Sequence, residues 1–220
     1  MKKLLILLLS VLLFSIVGKS QELNSSNKMS IEVGFGYSTL SWEVESLAGN
    51  LQNDRNQFWV LPSFKLKYFI PLTAVDKPSV FQIAPFAGYN MSGGKSKTEL
   101  NGYKDFFRFQ SLEIGALPTI SLKDKLQFYG GVKGQYIFSA KSKAFGSAVS
   151  QGNDGREWST NDVDKFIKDF SFSVGAGMNY SINRLFLGIE TWLGVTDLSE
   201  FQSMSIYENN YRLIFGYRIK

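Results

Sequence analysis

FSFSVGAGMNYS, residues 170–181, decides the fold. Phe170, Phe172, Val174, Ala176, Met178 and Tyr180 take every second position, and Ser171, Ser173, Gly175, Gly177, Asn179 and Ser181 fill the gaps. A period of two marks a pleated strand with one apolar and one polar face. The chain ends the same way, with Tyr211, Leu213, Phe215, Tyr217 and Ile219 alternating with Arg212, Gly216, Arg218 and Lys220. Near its beginning, Ile31, Val33, Phe35 and Tyr37 alternate with Glu32, Gly34, Gly36 and Ser38.

Five further segments follow the pattern less cleanly: 58–70, 80–91, 107–120, 126–138 and 184–195. In the fourth strand, 107–120, the apolar phase slips between Phe109 and Leu112, which predicts a bulge near Ser111. Each segment reaches or slightly exceeds the roughly 9–11 residues that a tilted membrane strand requires. The total is eight, an even number, as bacterial single-chain barrels have.

The connections alternate in length. Residues 38–57, 92–106, 139–169 and 196–210 are long, polar and rich in Gly, Ser, Asn and Asp, whereas 71–79, 121–125 and 182–183 are short. Outer-membrane barrels have short periplasmic turns and long external loops. A soluble sandwich has no reason for that parity. The expected fold is therefore all-β: an eight-stranded antiparallel up-and-down transmembrane β-barrel, with its ends in the periplasm.

Side-chain distribution says which face meets lipid. Gly34, Gly36, Gly88, Gly115, Gly131, Gly175, Gly177, Gly188, Gly194 and Gly216 fall on the polar faces. Eight strands enclose just enough space for side chains, so glycines there make room for larger lumen groups. Tyr37, Phe58, Tyr89, Tyr136, Phe170 and Tyr211 lie near the external ends of the apolar faces, and Tyr68, Tyr180 and Tyr217 near the periplasmic ends. Two such rings are the aromatic girdles of a membrane barrel. Pro62, Pro85 and Pro118 fall on the lipid face of consecutive strands. A proline removes a ladder donor, so a row of bulges is expected there.

Residues 1–20 read as a signal peptide rather than fold: Lys2 and Lys3, an apolar run over 4–17, then Gly18 and Ser20 before Gln21. The run is short of the roughly 20 residues that a spanning helix needs. Residues 21–220 form the barrel domain, addressed to the outer membrane of a Gram-negative cell. The leader takes Lys2, Lys3 and Lys19, so 21 Lys and Arg face 19 Asp and Glu in the remainder, a net charge of +2. That gives no case for nucleic acid. Lipid is the first partner, and the barrel is read as a monomer.

The chain has no Cys and no His. Thiolate chemistry and disulfides are excluded. Without His, neither a Ser-His-acid triad nor a His metal site can be built. Barrels that modify lipids or cleave proteins rely on a catalytic His, so the chain is read as a non-enzyme without a cofactor. Asn153-Asp154-Gly155 resembles a piece of a calcium loop but lacks the ordered ligand spacing.

Eight ionisable groups are expected inside: Glu32, Lys65, Lys67, Glu113, Lys133, Glu190, Arg212 and Arg218. Hairpin register puts Glu113 opposite or nearly opposite Lys133, Glu32 near Lys65 and Lys67, and Glu190 near the last strand's arginines. Two readings follow. Buried ionisable groups often mark function, which suggests a narrow gated pore or transporter. A salt-bridged plug is favoured, because charges crowded in so narrow a lumen must be paired. The longest loop carries Arg156, Trp158, Asp162 and Asp164, the candidate surface for a protein partner.

The runs PFAGYN (85–90), LEIGALP (112–118), GIETWLGVTDL (188–198) and YRLIFGYRI (211–219) resemble the outer membrane protein β-barrel family, in its PorT-like, porin-related group. The resemblance covers essentially the whole chain after the leader. It implies a small barrel, with support of protein secretion or gliding in some members, and no catalytic residues. The chain departs from the group where Thr191 and Trp192 follow Glu190, since members often carry Arg-Tyr there.

Overall fold

The computed structural model describes residues 29–44, 51–73, 78–95, 104–123, 125–145 and 158–219. The expected leader and Arg156 lie outside them. Ten strand segments form one antiparallel sheet: β1 (Met29–Val44), β2 (Leu51–Tyr68), β3 (Ile70–Pro71), β4 (Ser79–Lys95), β5 (Lys104–Leu122), β6 (Leu126–Phe145), β7 (Trp158–Asp162), β8 (Phe170–Ile182), β9 (Leu185–Gly194) and β10 (Met204–Ile219). β3 continues β2 against β4, and β7 precedes β8 along β6. The segments are thus eight staves, and pairing of β1 with β10 and of β2 with β4 closes the ring.

Register fixes the shape. From Ser30 the pairings lead through Lys67, Phe86, Gly115, Lys133 and Ser173 to Gly194, which lies beside Glu208 one step past the Leu193–Asn209 pair; the β1 partner of Glu208, Leu40, lies ten residues beyond the start. With ordinary strand spacing and rise, eight staves with that stagger tilt by about 40° and give a wall radius of about 8 Å. Side chains from opposite walls meet at the axis of such a tube.

Outside, the apolar faces point away from the lumen, with Phe170 66%, Phe172 58% and Ile182 68% exposed. In the expected girdles Tyr136, Phe170, Tyr211, Tyr180 and Tyr217 are exposed, while Tyr37, Tyr89 and Tyr68 are half-buried. Neighbouring rings shelter two of these: Tyr37 lies 6.0 Å from Tyr211 and Tyr89 lies 6.3 Å from Phe138. Phe58's side chain is outside the described set. Asn183 takes a left-handed φ of 57° in the β8–β9 turn, a conformation that Asn tolerates.

Two expectations are corrected. Strand extends into every long connection and takes up most of the first: β1 runs to Val44, β2 starts at Leu51, and β6 has 20 residues. A 20-residue strand is about 66 Å long, far more than an apolar band about 25 Å tall requires. The external ends stand above the membrane, where water meets the outer surface and apolar alternation is no longer needed. The prolines also differ from a row of bulges. The β2–β4 ladder stops at Ser63, next to Pro62, and lapses without slipping between Lys67–Phe86 and Ile70–Ile83, at Pro85. The β5–β6 ladder lapses between Ala116–Val132 and Thr119–Tyr129, at Pro118, again in register. Only Pro62 adjoins a shift, where β1 steps from Gly36 to Ser38 and β2 from Leu61 to Gln57. The bulge expected near Ser111 is present between Gln110 and Ser111.

Glycines on the lumen face receive rings from the adjacent stave. A Cβ on Gly216 would lie 2.0 Å from the Phe186 ring, and one on Gly115 would lie 2.6 Å from Phe86. Gly216→Ala should therefore destabilise the barrel by about 1–3 kcal/mol through overpacking. In urea unfolding from detergent micelles, Phe186→Ala with Gly216→Ala should lose less than the two single changes combined, since they share one contact.

Candidate functional site

The inward positions of β2, β5, β6 and β9 converge on a buried charged cluster. Lys65 and Lys67 sit two apart on β2 and therefore share a face. Glu113, Lys133 and Glu190 enter from β5, β6 and β9. The Lys65 ammonium donates to the Glu190 carboxylate three staves away and lies 3.7 Å from Glu113. Lys133 donates to Glu113 at 2.9 Å, and the Lys67 ammonium lies 2.8 Å from Glu32. These side chains are at most 2% exposed. Removing such charges from water costs several kcal/mol each, which close pairing must offset.

Aromatic rings complete the surroundings of the cations. Phe86 and Trp192 come from β4 and β9, four staves apart and thus on opposite walls, yet their ring centroids are 5.9 Å apart. The Lys65 ammonium lies 5.4 Å from the Phe86 ring and 5.3 Å from Trp192, Lys133 lies 4.9 Å from Trp192, and Lys67 lies 4.5 Å from Tyr129. A cation over a ring face gains most when it is desolvated.

Ladder register and ion pairing do not coincide. Glu32 is directly opposite Lys65 but pairs with Lys67, one diagonal away. Glu190 is directly opposite Arg212 but is taken by Lys65. Arg212 reaches across to β4, where its guanidinium donates to the Asn90 side chain and, at 3.0 Å, to the Met91 carbonyl. Gln135 lies opposite Glu113, and Lys133 meets Glu113 diagonally. Arg218 is buried near the periplasmic end, its guanidinium 5.8 Å from the Phe186 ring.

The sequence reading missed Trp192, Asn90 and Glu208. Parity could have found all three: Trp192 shares a face with Glu190, and Glu208 with Arg212. Glu208 is buried and accepts from the Asn210 amide.

A second layer covers the external end. Between β7 and β8 a single 3₁₀ turn, Asp164–Phe166, drops Ile167 inward, and Leu198 enters from the β9–β10 connection. They form one apolar cluster with Leu40, Phe109, Ile137, Ala140 and Ile206. Ile167 bridges Ser199, the Lys168 amide donates to the Leu198 carbonyl at 2.8 Å, and the Glu200 amide to the Phe166 carbonyl at 3.1 Å. Asp197 accepts from the amides of Ser199 and Ile206 at 2.9 and 2.8 Å. Two residues of the expected partner loop serve this geometry: Asp162 accepts from the Asp164 amide at 3.0 Å, and Asp164 from the Ala140 amide. Trp158 belongs to β7, and its backbone pairs with Phe145.

The profile of the outer membrane protein β-barrel domain family matches residues 15–200. The chain belongs to that family. This outer-membrane barrel is similar in fold to the attachment invasion locus protein Ail of Yersinia pestis, at 14% identity over 89% of this chain and 100% of that one, with a TM-score of 0.45. It is also similar to Neisserial surface protein A, at 9% identity over 87% and 97% with a TM-score of 0.43, and to OprG of Pseudomonas aeruginosa, at 12% over 90% and 99% with a TM-score of 0.37. No curated protein matches it significantly in sequence. The barrel resides in the cell outer membrane.

Replacing Lys65 with Met should remove about 3–5 kcal/mol of stability, because Glu190 is left buried without its ion partner. Adding Glu190→Gln should restore at least half of that loss in equilibrium urea unfolding. In the cover, Ile167→Asp should open the 163–169 segment to trypsin after Lys165 and Lys168 while the barrel remains folded. Mass spectrometry of the digest should find cuts at those lysines many times faster than in the parent protein.

Proposed function

We propose that this outer-membrane barrel is a non-enzymatic protein whose lumen is closed by its own charged and aromatic side chains. Its external face is available to a protein partner, in support of the envelope or of secretion. The single observation that carries the closed lumen is the meeting of Phe86 and Trp192 at the axis from opposite walls, with the Lys65 ammonium beside both rings. An eight-stranded wall leaves no aqueous channel unless side chains stand aside, and these do the reverse.

The partner role rests on the external cover. Phe166 and Phe201 stack with centroids 5.3 Å apart, yet remain 46% and 47% exposed in the segments that cover the mouth. Beside them lies a hollow of about 530 Å³ lined by Asp164, Lys165, Lys168, Asp169, Phe170 and Glu200. Aromatic rings held rigidly among charges suit protein recognition. PorT-like kinship belongs to this reading and is supported by the strand motifs at 85–90, 112–118, 188–198 and 211–219.

Planar-bilayer recording tests the closed lumen. The parent protein should be electrically silent, and Phe86→Ala combined with Trp192→Ala and Ile167→Asp should give discrete conductance steps. Steady steps from the parent protein that change with Glu113→Ala or Lys133→Ala would make the barrel a gated pore instead.

A further inference from the structure

The lipid-facing wall is not uniform. A hollow of about 710 Å³ crosses β8, β9, β10 and β1 on the outside of the barrel. That is within the roughly 300–1,000 Å³ of small-ligand sites. Its floor is Ala176 and Thr191, small outward residues directly paired across β8 and β9. One position lower, Phe128, Met178, Ile189, Leu213 and Phe35 are paired in succession and form a continuous ridge. At its far end the floor row meets Tyr211, which pairs with Thr191, and then Tyr37. The stagger raises the row by about 3 Å per stave toward the external side, so the hollow climbs from mid-membrane at Ala176 to the external girdle.

Beyond that end the chemistry changes. The next outward positions are Thr39 and Ser41 on β1, paired with Asn209 and Tyr207 on β10. They offer hydroxyls, an amide and a phenol, and no charge. Among the described side chains at these positions a phosphate would find no cation, whereas a sugar finds hydrogen-bonding groups of its own kind.

We propose that the hollow is a binding site for one acyl chain of a sugar-headed lipid of the external leaflet, with the headgroup over Thr39, Ser41, Tyr207 and Asn209. A chain on a flat wall touches protein on one side only. Here it is held by the floor, the ridge and the tyrosine end, and each further contact adds dispersion energy. A second copy of the barrel suits the site less well. A twofold contact sets like against like, and two hollows facing each other enclose a void.

Native mass spectrometry from phosphatidylethanolamine nanodiscs containing a minor fraction of an acylated glucosamine-disaccharide lipid tests the proposal. The parent barrel should retain one glycolipid. Ala176→Phe, which fills the floor, should retain at least about tenfold less, equivalent to about 1.4 kcal/mol. Ala116→Phe, an outward substitution on β5, should retain it as the parent does. Heat-dependent mobility in detergent gels reports folding, and Ala176→Leu serves if the larger ring prevents it. Equal glycolipid retention by a floor-filled variant would overturn the proposal. So would equal retention of phosphatidylethanolamine by the parent, or a paired barrel that Ala176→Phe separates.

Discussion

The structure depends on a closed wall of about 8 Å radius standing in hydrocarbon. No backbone group in the apolar band can turn to water, so every stave must be paired on both sides. Closure imposes the stagger, and the stagger decides which side chains meet inside. The three prolines mark how far the constraint bends. Pro85 and Pro118 each leave a gap in one ladder, yet the pairs on either side keep the same register. A slip of one residue would turn every lipid-facing side chain inward. Losing one ladder bond is the smaller penalty.

The interior follows from the same narrowness. A tube of this width cannot be lined with large side chains all round, so rings lie over glycines: Phe86 over Gly115, Trp192 over Gly175, Tyr129 over Gly177 and Phe186 over Gly216. Space gained on one stave is occupied from the next. The charged groups then compete for partners across the lumen as well as along the ladder, which is why Lys65 reaches Glu190 while Arg212, directly opposite Glu190, goes to Asn90. Lys65 faces two carboxylates, and Glu113 faces two lysines. Removing one member therefore disturbs several others.

Much of this was legible in the sequence wherever lipid imposes a period. The alternation in 170–181 and 211–219, the glycine faces and the phase slip near Ser111 all follow from a wall that is apolar outside and polar inside. Legibility fails where that contrast ends. Asn53, Asp54, Asn56 and Gln57 lie in β2, but above the membrane a strand has water on its outer face and no reason to alternate, so the segment reads as loop. Cross-lumen partners were hidden for a different cause: they depend on the ten-residue stagger, a property of all eight staves together. Ile167 and Leu198 were hidden because a single apolar residue in a polar connection has no period at all.

The two layers inside the barrel also differ in chemistry for a physical reason. Mid-membrane, the strand wall itself excludes water, and a buried ion pair is protected by hydrocarbon on every side. At the external mouth the wall stands in water, and its top is closed by the two covering segments. An ion pair there, such as Lys168 with Asp197 at 3.5 Å, is partly exposed and is weakened by hydration and salt. Apolar side chains gain from the presence of water, so Leu40, Phe109, Ile137, Ile206, Ile167 and Leu198 suit that level. The cluster joins β1 to β6 on the opposite wall and recruits both covering segments. Ion pairs hold the dry level and apolar contact holds the wet one, an order that reversal would weaken at both ends.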